Sequence, residues 1–480
     1  MPIIAALQDA SAAPQPLGVG AVVLLFVVGS LFVVGWSRWV RPMNLAIGFA
    51  VTVAMWTLSY VAMLQPGLVA GELLFVAALA CVFVGGWVAG RRAPSEASGM
   101  SVGLVSATIN LMVVGAFLRD EQGGTHLRPI LYVAGLYAGS ALLGLLGDRL
   151  GRRGASGRPL PGAATLLGAV ATANILVMIV LGGLVTSYEA GLAVPDWPNS
   201  FGHNMLLYPV SEMKGGIFYE HAHRLFGMLV GATTLAYATV AFRSGVPRAA
   251  RGLVVVLVAL VVTQGILGGL RVTGNVTASM EASDLAPSTA MAIVHGMLGQ
   301  CVFAVAMLSA FACAGAFDGV RGSATGSRWM RSLPIAALAA LTMQLFLGAA
   351  MRHLQTAPTA DAGAKLPPWA LHGHVTMALI AFVLVFMAGR RSAKSVDARP
   401  IRALGTGISH AVGLQLVLGI AALVAVLVRR GVEVPWWEAI STTSHQALGA
   451  LLLAMTASLA VLAYRATLTG FSASSSASNA

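Results

Sequence analysis

Residues 218–230 read FYEHAHRLFGMLV, a polar cluster that runs directly into an apolar helix. The cluster contains Glu220, His223 and Arg224. Charged side chains inside a membrane are energetically costly, and for that reason they are usually functional. This stretch therefore predicts an apolar helix that carries ionisable groups close to its start.

Three further apolar runs begin with a histidine in the same way: VHGMLGQ with His295, LHGHVTM with His374 and SHQALGA with His445. Before each of them lies a run with a glutamine and a leucine-glycine pair (TQGILGGL, MQLFLGAA, LQLVLGIA), and the histidine follows that glycine by 26 or 27 residues. The first unit has IVLGGLVT and then 41 residues to His223. Such self-similarity predicts one helical hairpin repeated four times, and hence two pseudo-symmetric four-helix bundles.

A small residue follows each of these histidines at the fourth position. It is glycine at 227, 299 and 449, and alanine at 378. Small residues at this spacing let another helix, or a flat ligand, approach closely.

The composition of the chain identifies a polytopic membrane protein. Of its 480 residues 57% are hydrophobic and 10% are charged, and apolar runs of about 20 residues recur along it. The formal charge of +12 does not indicate nucleic acid binding, because the basic residues fall mostly in short loops. The three cysteines all lie within apolar runs, which excludes a disulfide between loops.

The hydropathy pattern predicts an all-α integral membrane protein with about 13 transmembrane helices. Five of them precede the repeat and eight belong to it, at roughly 17–36, 43–64, 68–90, 100–118, 129–147, 165–187, 217–242, 252–271, 288–316, 333–352, 369–389, 404–428 and 437–464. With the N-terminus outside, the cytoplasmic loops and Arg465 hold 20 of the 29 Lys and Arg residues. This distribution predicts an outside N-terminus and a cytoplasmic C-terminus.

These spans divide the chain into four segments. Residues 1–160 form a five-helix extension of unknown role, residues 161–325 and 326–468 form the N-terminal and C-terminal four-helix bundles, and residues 469–480 form a disordered tail.

The four repeated histidines are candidate ligands of two hemes, one in each bundle. Imidazole binds iron well, and a bundle core can hold a porphyrin between facing helices. Zinc is the alternative metal, but it prefers three or four converging ligands. A hydrogen-bonded structural role is the alternative for any single histidine. Because each histidine lies near the start of its helix, all four are expected at a similar depth in the membrane. The two heme sites would therefore lie side by side.

Other charged residues lie near the histidines. Glu220 is a candidate for proton transfer during oxidation, with a helix N-terminal acid or a partner of Arg224 as the alternatives. Arg224, Arg271 and Arg352 are candidate contacts for heme propionates, or else interfacial anchors. The loop at about 188–216 is the longest of the repeat region, which is typical of a lid over a site.

With these residues in view, the chain resembles the heme A synthase family over about 165–465. The resemblance rests on GGLVTSYEAGLAVPDWPNSFG at 182–202, on YEHAHRLFG, on SHQALGALLLA, and on one histidine in each even-numbered helix of the eight. It implies oxidation of the C8 methyl group of heme O to a formyl group, giving heme A for terminal oxidases, in the inner membrane of a bacterium.

The resemblance also implies a division of roles. His374 and His445 would bind a heme b cofactor, His223 and His295 would bind the substrate heme O, and Glu220 would be the acid needed for turnover. The implied partners are a heme O synthase as the supplier of substrate, the lipid bilayer, an electron donor for which a quinol is one candidate, and a second copy of the chain.

Two features depart from the family pattern. The cysteine pair that some members carry in the outer loops is missing here, and the five N-terminal helices lie outside the resemblance.

A diheme b-type electron-transfer cytochrome is the main alternative function, and a heme transporter or chaperone is the other.

Overall fold

The protein is almost entirely helical in the part of the chain that can be described. The computed structural model describes residues 19–65, 68–119, 127–154, 158–273, 289–322, 328–355, 365–395 and 398–468. Within these ranges the helices, numbered in chain order, are α1 (Val19–Trp39), α2 (Pro42–Met63), α3 (Gly71–Arg92), α4 (Gly99–Arg119), α5 (Leu127–Arg153), α6 (Ala163–Ser187), α7 (Gly216–Arg243), α8 (Arg248–Thr273), α9 (Thr289–Cys313), α10 (Ala316–Gly319), α11 (Arg328–His353), α12 (Pro368–Ser395), α13 (Arg399–Val428) and α14 (Trp436–Ala466). The strands described are β1 (Asn199–Ser200) and β2 (His203–Asn204), which form one antiparallel hairpin.

The helices have the length and composition of membrane spans. Each of the predicted spans coincides with one long helix, apart from differences of a few residues at the ends. Among the described residues, 11 helices are long and apolar enough to cross a membrane. Large apolar side chains such as Val417, Ile420 and Val424 of α13 are exposed, as lipid-facing positions are. The prediction of an all-α, multi-pass membrane protein is confirmed.

The chain folds as two compact units. The first contains residues 1–163, 189–240 and 265–288, and the second contains 164–188, 241–264 and 289–480. The four segments predicted from the sequence and the orientation across the membrane stay predictions. The predicted tail at 469–480 lies outside the described residues.

In the first unit, glycines bring the backbones of α3, α4 and α5 into direct contact. A Cβ atom added at Gly86 or at Gly99 would lie 2.1 Å from the carbonyl oxygen of Gly144. Small residues allow this closeness, which maximises van der Waals contact where lipid offers no hydrophobic drive for helix association. The five N-terminal helices thus contain a tightly packed core of their own.

Polar side chains add specific links between α2 and α4. The indole Nε1 of Trp56 donates to Oδ1 of Asn110 over 2.8 Å, and Thr52 donates to Ser106 over 3.0 Å. All four side chains are buried, so these bonds satisfy groups that lipid could not.

In the second unit, consecutive helices from α11 to α14 pack against each other, and α14 also packs against α11. Helix α9 also packs against α14. The core of this unit includes fully buried aliphatic side chains such as Val385, Ile401, Ile408, Leu452 and Leu459. The four helices therefore surround one apolar interior, and His374 and His445 lie on two of them.

We expect Gly144→Val to destabilise the N-terminal helices, because its side chain would collide with the backbone of Gly99. Gly139→Val on the same helix is the matched control, since a Cβ there meets no atom within 4 Å. Overpacking of this kind costs about 1–3 kcal/mol. Thermal unfolding in detergent should show a lower midpoint for Gly144→Val alone, and equal midpoints would contradict the close packing of α4 and α5.

Candidate functional site

The structure brings together two of the predicted ligands, His374 on α12 and His445 on α14. Their ring centroids are 6.3 Å apart and the ring planes are inclined at 77°. A metal–imidazole bond of about 2 Å places each ring centroid about 3 Å from the metal, so two axial imidazoles on one metal have centroids about 6 Å apart. The separation of this pair therefore suits two ligands of one iron.

Each of these imidazoles is seated on a glycine of the preceding helix. A Cβ atom at Gly348 would lie 2.8 Å from Cε1 of His374, and one at Gly419 would lie 2.9 Å from Cε1 of His445. A larger residue at either position would push the ring aside. These glycines are the ones that mark the repeat in the sequence, so the repeat includes the position on which each histidine ring packs.

A glutamine one turn before each glycine holds the same histidine. Gln344 Nε2 lies 3.1 Å from Nε2 of His374, whose Nδ1 is 3.2 Å from the Gln344 carbonyl oxygen. Gln415 Nε2 lies 3.1 Å from Nδ1 of His445 and donates to the His445 carbonyl oxygen. Hydrogen bonds to a ligand imidazole orient its ring and fix its tautomer. In the sequence these glutamines served only as markers of the repeat, although their constant spacing from the histidines was the signal.

The same interlocking occurs between α8 and α9. Gln264 donates through Nε2 to the carbonyl oxygen of His295 over 2.9 Å. A Cβ at Gly299 would lie 3.2 Å from Nε2 of Gln264, just as one at Gly449 would lie 3.1 Å from Nε2 of Gln415. The glycine after the histidine thus makes room for the glutamine, which is what its small size at this spacing allows.

The other predicted ligand pair, His223 and His295, is divided between the two units. Both side chains are half-buried in the first turns of their helices, α7 and α9. Their pairing around a substrate heme stays a prediction.

Glu220 and Arg224 form a buried latch that ties the loop 188–215 to α7. Arg224 Nη2 lies 2.7 Å from Glu220 Oε1 and donates to the Val194 carbonyl oxygen, while Nη1 donates to the carbonyl oxygens of Asp196 and Asn199. The backbone amide of Val194 donates to Glu220 Oε2 over 2.9 Å. Of the alternatives for Glu220, the partner of Arg224 is the one present in this structure. The predicted propionate contact of Arg224 stays a prediction.

The fold of the loop depends on two further side chains. The Asp196 carboxylate accepts hydrogen bonds from the backbone amides of Phe201 and Gly202, at 2.8 and 2.7 Å. Ser200 Oγ lies 3.0 Å from Nδ1 of His221, a fully buried residue on α7. His221 therefore anchors the loop to α7.

Tyr208 covers the ring of His221 within the loop, with 5.0 Å between the ring centroids. Burial and the nearby Glu212 carboxylate raise the pKa of Tyr208 above its ordinary value. The phenol is therefore neutral at physiological pH and packs as an uncharged side chain.

The end of α8 also meets the loop. A Cβ at Gly269 would lie 2.4 Å from the indole of Trp197, and one at Gly191 would lie 2.6 Å from Nη2 of Arg271. Among the described residues, Nε of Arg271 is buried without a hydrogen-bond partner. Arg271 also interacts electrostatically with Glu220. A buried guanidinium with a spare donor is suited to bind a carboxylate.

In the second unit, a polar network lies at the start of α14, ahead of His445. Arg352 donates to the carbonyl oxygens of Thr186 and Ser187, and Ser187 Oγ lies 2.8 Å from the hydroxyl of Thr442. Arg352 thus lies near the start of the helix that carries His445. Its contact with a heme propionate stays a prediction.

A buried ion pair in the same region was not anticipated from the sequence. Arg429 Nη1 lies 3.4 Å from Glu438 Oε1, and the side chains are only 2% and 3% exposed. Glu438 precedes His445 by seven residues, or about two helical turns. The pair therefore fixes the start of the helix that carries the ligand.

His374 and His445 together offer two ligands, whereas zinc prefers three or four. Across the described ranges there is no group of three or more His, Cys, Asp or Glu side chains that could hold a metal ion. The two imidazoles would be the residues to hold a heme, because their ring centroids are 6.3 Å apart and Gly348 and Gly419 leave room for the rings. His372, two residues before His374 on α12, is exposed.

With this geometry established, a family assignment can be made from comparison with known proteins. Residues 165–457, more than half of the chain, match the model of the cytochrome oxidase assembly protein family. The chain belongs to this family. The matched region includes the loop 188–215, the latch and all four repeated histidines, and it leaves out α1 to α5.

Two relatives of this chain come from different strains of Methylorubrum extorquens, and both are named heme A synthase. The relative from the first strain is 30% identical over 192 residues, which is 37% of this chain and 49% of the relative. The relative from the second strain is 31% identical over 182 residues, 35% of this chain and 46% of the relative. The chain thus spans about half the length of the curated relatives it matches.

We expect Gly419→Val to reduce heme binding, because the added side chain would displace the imidazole of His445. Gly413→Val on the same helix is the control, since a Cβ at Gly413 meets no atom within 4 Å. Loss of one ordered ligand or its orientation typically costs about 10-fold to 100-fold in metal affinity. The heme absorbance per purified protein should fall for Gly419→Val alone. Equal heme content in the two variants would contradict the seating of the ligand on Gly419.

Proposed function

We propose that this protein is a heme A synthase of the bacterial inner membrane. In this proposal it is an oxidoreductase that oxidises the C8 methyl group of heme O to a formyl group and so supplies heme A for terminal oxidases. The family assignment supports the proposal. The observation that carries it is the His374–His445 pair, whose separation suits two ligands of one iron.

In this proposal His374 and His445 bind heme b as the cofactor. Gln344 and Gln415 orient the imidazoles, and for iron to bind His374 through Nε2, the amide of Gln344 must turn away from that nitrogen. Arg352 is the proposed contact for a propionate. When bound, heme b supplies one-electron redox chemistry.

His223 and His295 are the proposed ligands of the substrate, heme O. Arg271 supports this role, because its half-buried side chain lies next to the loop and its Nε has no hydrogen-bond partner in the part of the chain that the structure describes. The loop 188–215 is tied to α7 by three buried side chains, those of Glu220, His221 and Arg224. A loop held in this way can exclude bulk water from the reacting methyl group.

Glu220 is the proposed acid–base group of the substrate site. A positioned carboxylate can take up or deliver the protons that are exchanged when a methyl group is oxidised. Both oxygens of Glu220 accept hydrogen bonds in the latch. To receive a proton, the carboxylate must therefore give up part of one of these bonds, which links proton transfer to the loop.

The direct test of the proposed function is extraction and chromatography of the hemes from cells that make heme O, with and without this protein. We expect heme A, or its hydroxylated precursor, to appear only when the protein is present. His374→Ala and His445→Ala should each lower the content of the cofactor heme, because each removes a proposed axial ligand. His372→Ala is the matched control and should bind heme normally.

Two results would contradict the proposal. Bound heme b with heme O left unchanged, despite a competent electron supply, would favour the diheme electron-transfer cytochrome. Unchanged heme content in both His374→Ala and His445→Ala would overturn the ligand assignment.

A second experiment separates proton transfer from the latch. We expect Glu220→Gln to lower the rate of heme A formation by about 100-fold or more, while heme remains bound. The glutamine can still accept a bond from Arg224 but loses the bond from the Val194 amide, so amide hydrogen exchange in the loop 188–215 should rise only slightly. Arg224→Ala serves as the comparison, because it removes four bonds of the latch and should accelerate that exchange.

Normal product formation by Glu220→Gln would remove Glu220 from the chemistry. If Glu220→Gln and Arg224→Ala both loosened the loop and lost activity to the same extent, Glu220 would act only through the latch.

A further inference from the structure

One of the five N-terminal helices, α2, packs against α7 of the proposed substrate site. The ring of Tyr60 on α2 stacks on Phe218, with centroids 5.2 Å apart and planes inclined by 8°. Trp56, one turn before Tyr60, meets Phe226 edge to face at 5.5 Å. All four aromatic side chains are buried, so they form a sealed contact between α2 and α7, which we call the aromatic clamp.

The aromatic clamp contacts α7 at two positions, one before Glu220 and one after His223 in the sequence. Phe218 precedes Glu220 by two residues, and Phe226 follows His223 by three. At about 100° per residue, Glu220 points about 200° away from Phe218 around the helix. The clamp therefore holds the far side of α7 and leaves the face of Glu220 to the loop.

The clamp is itself fixed inside the N-terminal helices. Trp56 donates its indole N–H to Asn110 of α4 over 2.8 Å, and Asn110 donates to the carbonyl oxygen of Ser106 one turn earlier. A buried hydrogen bond to α4 thus fixes the orientation of the Trp56 ring. Because the same ring packs against Phe226, the position of Phe226 depends on how α2 packs against α4.

Helix α4 makes a second contact, with the loop 188–215. The short 3-10 turn at 205–207 packs against α4. A Cβ at Gly115 would lie 2.5 Å from Cδ2 of Leu207 and 3.1 Å from the carbonyl oxygen of Leu206. The loop therefore sits directly on Gly115, close to where Tyr208 covers His221.

We infer that α1 to α5 act as a positioning scaffold for the substrate site, holding α7 through the aromatic clamp and the loop through Gly115. This inference rests on the proposed function only in taking the substrate to be heme O. It gives the N-terminal extension a role that no part of the family match covers, since the match begins at residue 165. Small displacements of positioning groups are costly in catalysis, which is a physical reason for such a scaffold.

Two pairs of variants of the full-length protein test the scaffold. Tyr60→Leu removes the stacked ring, and Tyr60→Phe keeps it as the conservative control. Gly115→Leu pushes the loop at Leu207, and Gly135→Leu is its control, because a Cβ at Gly135 in α5 meets no atom within 4 Å. The readouts are amide hydrogen exchange in peptides covering 201–226 and the KM and kcat for heme O.

We expect Tyr60→Leu and Gly115→Leu to accelerate exchange in residues 201–226 and to raise the KM for heme O by about threefold to tenfold. The heme held by His374 and His445 should be retained. Tyr60→Phe and Gly135→Leu should match the wild type in both readouts. Rescue by the phenylalanine would separate positioning by the ring from any role of the hydroxyl.

Unchanged exchange and unchanged KM in folded Gly115→Leu and Tyr60→Leu would overturn the inference. If Tyr60→Leu does not fold, Gly115→Leu decides, since its side chain acts at the edge of the loop and leaves the clamp intact. If the wild type forms no heme A, the proposed function fails, and faster exchange in 201–226 for both variants would still support the scaffold.

Discussion

The organisation of this protein depends on one constraint: a polar side chain within a membrane must find its partner inside the protein. Glutamine and histidine meet this need between adjacent helices, at Gln344 with His374 and at Gln415 with His445. The partners can reach each other because both imidazoles lie over a glycine of the facing helix, as does the side chain of Gln415. The contacts that position these histidines therefore form together with the close packing of the helices, and the same arrangement recurs along the chain.

The two halves of the repeat use this device differently. In the second unit it sets two imidazoles at the separation of axial ligands. Around α7 the polar groups instead bind a loop, since Glu220, His221 and Arg224 all bond to residues 194–200. One repeated hairpin thus places two imidazoles close together in one place and binds a loop in another.

The five N-terminal helices are joined to this loop-covered site by packing rather than by chemistry. Their own interior is held by glycines in backbone contact and by buried hydrogen bonds such as that of Trp56 with Asn110. A densely packed helical block has few alternative arrangements. Its contacts with Phe218 and Phe226 can therefore fix α7 more firmly than lipid alone.

The sequence by itself determined the all-α membrane fold, the places of the long helices and the four repeated histidines, because hydropathy and spacing are local properties of a chain. It also determined that Gln344 and Gln415 recur at one distance from His374 and His445. Only the tertiary structure decided that Glu220 is bound to Arg224, that Arg429 pairs with Glu438 and that Tyr60 stacks on Phe218. The contacts of Arg429 with Glu438 and of Tyr60 with Phe218 join residues of different elements. For Glu220, its position on the helix was compatible with several different partners. The rotation and depth of packed helices, which a periodic pattern does not specify, select among them.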